Sequence, residues 1–223
     1  MTRAAWLGLL VVASTVACTP PPRAVAMAPR LALSPCEIPK SSVEARCGAL
    51  EVFEDRAARS GRVIPIKVLV LPALGEERAR DPIFVLAGGP GLGAASAMRD
   101  ADAGFFEGMR ARRDVVFIDQ RGTGGSHRLS CRLTTGSGAQ ATFGDLLPPD
   151  RIRACRETLE KIADLRLYTT PIAMDDVDDV RAALGYATIN LYGVSYASLA
   201  AARRSSRTSP GLALGNPGGQ RLW

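Results

Sequence analysis

Between Thr188 and Ser198 the chain reads Thr-Ile-Asn-Leu-Tyr-Gly-Val-Ser-Tyr-Ala-Ser, the run around which the rest of the chain is arranged. A short β-prone stretch with Ile189, Leu191 and Tyr192 enters a Gly-x-Ser-x-Ala turn, and an Ala-rich stretch of helical composition leaves it. So sharp a turn between strand and helix drives its central Ser195 into a strained backbone conformation with the hydroxyl held clear of the sheet. It also requires small residues two positions to either side. Gly193 meets that requirement, and Ala197 stands where a second Gly is usual. The extra methyl either fits or pushes strand and helix apart, and the sequence leaves both open. Ordinary turns also show such five-residue patterns, so the reading depends on what lies upstream.

Upstream, strands and helices alternate. Partial alternation of aliphatic residues over Gly48 to Glu54 and Arg62 to Leu71 predicts two antiparallel strands joined near Ser60-Gly61. Ile83 to Ala87 and Val115 to Ile118 are short continuous apolar runs, as in strands that a mainly parallel sheet buries on both faces. The first opens into Gly88-Gly-Pro-Gly-Leu-Gly93 and the second into Asp119-Gln-Arg-Gly-Thr-Gly-Gly-Ser126. Helices are predicted around Ala94 to Met98, Gly104 to Ala111 and Arg151 to Lys161, the last with Ile152, Cys155 and Leu159 on one side. Leu129 to Pro149 is polar and Gly-rich, a surface excursion. Pro171 suits a first helical turn, after which Met174, Val177, Val180 and Leu184 recur at helical spacing up to Gly185. Asp175, Asp176, Asp178 and Asp179 lie in the first half of that helix, where the dipole favours carboxylates, and the pattern predicts a solvated face. Such alternation indicates an α/β fold with its site at the carboxyl ends of the strands.

The N-terminus carries a different message. Arg3, an apolar run from Ala4 to Val12 and then Ala13-Ser-Thr-Val-Ala-Cys18 predict a secretory signal over residues 1–17, too short to span a membrane. Ala17-Cys18 resembles a lipoprotein cleavage site with Cys18 as the lipid-bearing first residue. Thr15, where an aliphatic residue is usual, leaves simple release open. The Pro-rich stretch at 18–33 reads as an extended tether, so membrane contact is expected only through a lipid at Cys18. Export permits disulfides. Cys36, Cys47, Cys131 and Cys155 allow three pairings, of which proximity favours Cys36 with Cys47 and Cys131 with Cys155. With no Cys-x-x-Cys and a single histidine, no metal site is expected, and no organic cofactor is implied. The net charge of +6 comes from scattered Arg residues with no basic stripe interleaved with aromatics, so no nucleic-acid partner is expected. At 223 residues and 47% hydrophobic content the chain can bury one core, expected over 34–200.

Gly88-Gly-Pro-Gly91, Asp119-Gln-Arg-Gly122 through Ser126, and Gly193-Val-Ser-Tyr196 occur in that order. Together they resemble the proline iminopeptidase and tripeptidyl aminopeptidase branch of the α/β-hydrolases. Tyr168-Thr-Thr-Pro through Leu184-Gly-Tyr, the run Ile189-Asn-Leu-Tyr192 and the flanking cysteines are similar to secreted members of that branch. The likeness covers roughly Cys36 to Ser198. It implies the N-terminal part of an α/β-hydrolase sheet with flanking helices, the later strands and substrate-covering cap missing. It also implies a peptide or ester substrate attacked by Ser195. The developing oxyanion needs backbone N–H donors, which the resemblance assigns to Tyr196 and to Gly88 or Gly89. Pro90 and Gly91 would shape that loop, and Asp119 and Arg121 would organise the loop beside it. A Gly-rich loop after a strand can also cradle a phosphate, but Pro90 and the missing Lys-Ser/Thr pair argue against a P-loop.

A serine of this kind needs a base, and in this fold the acid and the His follow the serine. No Asp, Glu or His follows Ser195, and the last acidic residue is Asp179. His127, the only histidine, precedes the serine at the end of the Asp119 loop, and the family order gives it no claim to be the base. Residues 201–223, rich in Arg, Ser, Pro and Gly, show neither helical nor strand period and are expected to be irregular. A frameshift or premature end after Ser198 would produce such a tail, and would leave the strand ending at Tyr192 as an exposed sheet edge. Three readings result: part of a secreted serine aminopeptidase with little turnover, a non-catalytic envelope lipoprotein acting as a binding module, or a split enzyme whose partner chain supplies acid and base.

Overall fold

The computed structural model describes residues 31–39, 41–131, 133, 147–193, 195–198, 200, 212–215 and 221–222. The expected signal at 1–17, Cys18, most of the tether and residues 201–211 lie outside the described residues. In chain order the strands are β1 (Ser34–Cys36), β2 (Ala45–Phe53), β3 (Val63–Leu71), β4 (Ile83–Leu86), β5 (Val115–Ile118), β6 (Ile189–Gly193), β7 (Leu212–Gly215) and β8 (Arg221–Leu222). They form one sheet ordered β1-β2-β3-β5-β4-β6-β7-β8. The expected antiparallel pair is β2 with β3, in register from Arg46↔Val70 to Phe53↔Val63. β2 starts ahead of the apolar alternation because Cys47, Arg46 and Ala45 also pair with β1. Ladder hydrogen bonds to β1 and the burial of Ala45 carry that extension. β3 is antiparallel to β5 as well, whereas β5, β4, β6 and β7 run parallel.

The helices are α1 (Ala94–Ala97), α2 (Glu107–Arg110), α3 (Pro149–Leu159) and α4 (Thr170–Ala183). The helix predicted from Gly104 is divided: Ala103–Phe106 is a 3-10 turn capped by the Asp102 side chain on the Gly104 N–H, and α2 follows it. Each face of the sheet is covered. Ala94, Met98, Ala103 and Phe106 pack on Leu69, Leu71, Val85, Val115 and Phe117 on one side. On the other, Ala173, Met174, Val177, Val180 and Ala183 of α4 pack on Ile66, Val68, Phe84, Val116, Ile118, Ile189 and Leu191. That is why β4 and β5 read as unbroken apolar runs. The mixed sheet with helices on both faces is the α/β class expected from the sequence.

Three features differ from expectation. α3 forms, but it has no buried residue, and Ile152 is 42% exposed, so its apolar side does not reach the core. What holds it is the Cys131–Cys155 disulfide; the other disulfide, Cys36–Cys47, joins β1 to β2. Both are the pairings that proximity favours, and such bonds form in oxidising compartments outside the cytosol. Second, β6 is not a sheet edge. It pairs with β4 on one side and with β7 on the other, from Ile189↔Leu212 to Leu191↔Leu214. Third, within 201–223 the stretches Leu212–Gly215 and Arg221–Leu222 are strands, four and two residues long, too short to show a period. Among the described residues no helix is long and apolar enough to cross a membrane.

β4 is where the topology turns. The chain passes from β4 to β5 on one side, then crosses to β6 on the other. Crossovers leaving in opposite directions open a crevice beyond the carboxyl end of the strand between them, where ligands of open α/β sheets bind. The loops after β4, β5 and β6 are those of Gly88, Asp119 and Ser195.

Candidate active site

β6 ends at Gly193, and Ser195 follows with φ of 60°, in the left-handed region that costs a non-glycine residue of order 1–3 kcal/mol. Ser195 is exposed, and helical backbone resumes at Tyr196. The Ser198 N–H donates to the Ser195 carbonyl at 3.0 Å and its hydroxyl donates to the same oxygen at 2.6 Å, closing the first turn. A Cβ on Gly193 would stand 2.8 Å from both the carbonyl carbon and oxygen of Ala197. Strand and helix therefore approach too closely for any side chain at 193. Ala197 itself is fully buried in the core cluster with Ile189 and Leu191. The question that the sequence leaves open is answered: the methyl fits, because Gly193 makes the room.

Register links this turn to the next strand. Leu86 of β4 lies opposite Gly193 of β6, so the loop that begins at Gly88 and the turn at Ser195 leave neighbouring parallel strands at the same end of the sheet. Gly89 and Gly91 have φ of 112° and 108°, backbone that side chains rarely adopt. Gly88 is half-buried, while Gly89, Pro90 and Gly91 are exposed. The far end of the loop is held by Asp119, whose buried carboxylate accepts the Ser96 N–H at 2.9 Å, the Ser96 hydroxyl at 2.6 Å and the Gly125 N–H at 2.7 Å. Gly93 and Gly124 lie against the same carboxylate so closely that a Cβ on either would strike it. Asp119 thus fastens the start of α1 to the loop after β5.

Arg121 turns to the other face. Its guanidinium donates to both Asp176 oxygens, Nε at 2.6 Å and Nη2 at 2.9 Å, and its Nη1 donates to the carbonyls of Glu54 and Leu167. Asp176 is 1% exposed. The expectation that all four aspartates of α4 face solvent is therefore corrected at this position. Burial pushes the Asp176 carboxyl up, and the guanidiniums of Arg121 and Arg56 pull against that rise. Arg56 bridges Asp176 at 2.9 Å and Asp179 at 2.6 Å.

His127 is engaged elsewhere. The Tyr168 hydroxyl donates to Glu54 Oε1 at 2.8 Å, so its one proton is used, and His127 Nδ1 meets the phenol oxygen as donor. Glu54 in turn accepts from Arg62 at 2.7 Å. Among the described residues no histidine or carboxylate bonds to the Ser195 hydroxyl. A cavity of about 580 Å³, lined by Leu31, Val70, Asp114 and Tyr186 among others, lies by the amino ends of β5 and β6, away from Ser195.

The strand–turn–helix context that a Gly-x-Ser-x-small motif requires is thus present, beside a glycine-rich loop on the neighbouring strand. The sheet is a mixed α/β sheet with the Ser195 turn at the carboxyl end of β6. No family model matches the chain, and no curated protein does. Among solved structures it is similar to proline iminopeptidase from Mycobacterium smegmatis, at 21% identity and a TM-score of 0.42, covering 74% of this chain and 41% of that one. A proline iminopeptidase-related protein from Thermus thermophilus is 20% identical, with a TM-score of 0.38 and coverage of 83% and 44%. An acetyl xylan esterase from Paenibacillus sp. R4 is 16% identical, with a TM-score of 0.40 and coverage of 81% and 51%. The chain spans about half the length of these proteins or less.

Sequence reasoning passes over three residues. Thr170 meets the Tyr196 hydroxyl through its own, tying the start of α4 to the turn. Glu54 gathers Tyr168, Arg62 and the Asp164 N–H. Gln120, on the loop after β5, is buried with its Nε2 unpartnered among the described residues. The run Asp-Gln-Arg is the visible signal for the last, but its charged members draw the eye first.

Proposed function

We propose that this chain carries the nucleophile half of an exported serine hydrolase acting on peptide or ester carbonyls. Ser195 is the nucleophile, and the backbone N–H groups of Tyr196 and of Gly88 or Gly89 receive the charge that develops on the carbonyl oxygen. The observation that carries this reading is Ser195 itself: exposed, left-handed, between Gly193 and Ala197 with no room for more, after the strand that pairs with the one opening into Gly88. Attack forms a bond from Ser195 Oγ to the carbonyl carbon, passes the hydroxyl proton to a base and expels the amine or alcohol. The motif resemblance supports an aminopeptidase that removes N-terminal residues, and the Ala17-Cys18 pair supports a lipid anchor at the cell envelope.

No base follows Ser195 in the sequence, and His127 is committed to Tyr168 through Nδ1. A strong acyl-site electrophile is expected to react at Ser195, with little or no turnover by residues 1–223 alone. The same observation favours a second reading, a non-catalytic envelope lipoprotein that binds ligands in this crevice. Incubation with an aminoacyl chromogenic substrate and, separately, with a fluorophosphonate distinguishes them. Covalent labelling at Ser195 that is lost in Ser195→Ala supports the hydrolase half, and an unlabelled chain supports the binding module. Turnover lost in Ser195→Ala would refute the claim of inactivity.

A further inference from the structure

The peptide group that joins Ser195 to Tyr196 is held from both sides. Its carbonyl accepts the Ser198 N–H at 3.0 Å and the Ser198 hydroxyl at 2.6 Å, so it points along the helical turn that follows. In a planar trans peptide the N–H lies opposite the carbonyl. The Tyr196 N–H therefore points back out of that turn, away from Ser198, and at the start of a helical turn it has no intrahelical acceptor. On the other side, the Tyr196 hydroxyl is hydrogen-bonded to the hydroxyl of Thr170, 26 residues earlier in the chain. Both residues are half-buried. Thr170 opens α4, where Ala173 and Met174, one turn on, are packed in the core. The buried pair of Arg121 with Asp176 fastens the same helix just beyond them. Thr170 thus stands on a fixed support.

Resting on the acyl-transfer reading of Ser195, we propose that Thr170 is a positioning residue for the oxyanion. Through the Tyr196 hydroxyl it fixes the plane of the Ser195–Tyr196 peptide, and so the direction of the N–H that receives the developing charge. The left-handed backbone at Ser195 is strained, and strained backbone persists only where its surroundings over-determine it. Gly193, packed against the Ala197 backbone, fixes the chain before the serine. The Thr170 bond fixes the residue after it. A hydrogen bond weakens steeply as its angle closes, so an N–H free to tilt stabilises the oxyanion less. Cutting the Thr170 bond leaves Ser195 in place, and its effect falls on the step in which charge develops rather than on binding.

The test is the time course of fluorophosphonate labelling of the full chain, resolved into the binding constant KI and the first-order rate constant kinact, with Ser195→Ala as the blank. In that reaction Ser195 Oγ bonds to phosphorus, fluoride leaves, the hydroxyl proton passes to water and charge gathers on the phosphoryl oxygen. Thr170→Val keeps the shape of the side chain and removes its hydroxyl. It is expected to lower kinact about threefold to tenfold, the value of one hydrogen bond, with KI unchanged. Tyr196→Phe should do the same, and the double variant should be no slower than either single one, because both cut a single bond. Thr170→Ser, which keeps the hydroxyl, should restore kinact. An unchanged kinact in Thr170→Val, a change confined to KI, or losses that multiply in the double variant would overturn the positioning role while leaving the acyl site standing. A wild-type chain that takes no label would overturn the acyl reading, and the positioning role with it. Tyr196→Phe decides even if Thr170→Val does not fold.

Discussion

The Arg121 guanidinium and the Asp176 carboxylate, 55 residues apart in sequence, form a two-point ion pair at 2.6 and 2.9 Å. The arginine side chain is 0% exposed and that of the aspartate 1%. The pair fixes the loop after β5 to α4, the helix that leads into the Ser195 turn. Removing one partner strands a buried charge, so Asp176→Ala is expected to cost about 3–5 kcal/mol in urea unfolding. The double variant Arg121→Met, Asp176→Leu is expected to recover only part of that loss, because the Glu54 and Leu167 carbonyls then lose the Arg121 donor.

Gly193→Ala tests the closeness of strand and helix. The added Cβ meets the Ala197 backbone, not only its methyl, so a loss of about 1–3 kcal/mol is expected. Shrinking Ala197 to Gly in the same chain should not restore stability. Rescue by Ala197→Gly would show that the methyl, and not the backbone, sets the limit.

Tyr168 and Tyr186 predict an alkaline limb. Burial, and next the bond to a carboxylate, raise both phenols: Glu54 faces Tyr168 and Asp114 faces Tyr186. Above about pH 10 an unfolded tyrosine loses its proton while these keep theirs. The folded chain then holds more protons than the unfolded one, and stability falls as pH rises toward the folded pKa values. Urea midpoints should therefore drop as the pH rises above about 10. Tyr168→Phe should make that slope shallower, and adding Tyr186→Phe should remove most of what remains.

α3 depends on a covalent bond where other helices depend on burial. Replacing Cys131 and Cys155 with Ser is expected to raise hydrogen exchange across 149–159 strongly while leaving β3, β4 and β5 protected. Equal loss of protection in the sheet would mean that α3 contributes to the core in a way that its exposed side chains do not suggest.

What can be read from the sequence follows from what determines each element. The Ile83 and Val115 runs and the Met174, Val177, Val180 spacing report local burial, and the corresponding β4, β5 and α4 form where expected. Ser195 is legible because a strand–turn–helix needs small residues at fixed offsets. α3 misleads because an apolar side implies burial only when a core is within reach, and a disulfide removes that need. Asp176 misleads because helix position favours exposed acids early in a helix, while its partner Arg121 lies far away in sequence. β7 is hidden by its length: four residues on a parallel strand carry no measurable alternation. That the Gln120 Nε2 is buried without a partner among the described residues depends on tertiary packing, which no local pattern encodes.

The central claim is that the Ser195 hydroxyl is presented to an acyl carbonyl. Its most direct test is the fluorophosphonate reaction of the purified chain, with the modified residue located by peptide mass mapping. A single adduct is expected on the peptide containing Ser195, absent in Ser195→Ala, with no accompanying turnover of a chromogenic substrate. An unmodified Ser195 after prolonged exposure, or an adduct on Ser198 in its place, would contradict it.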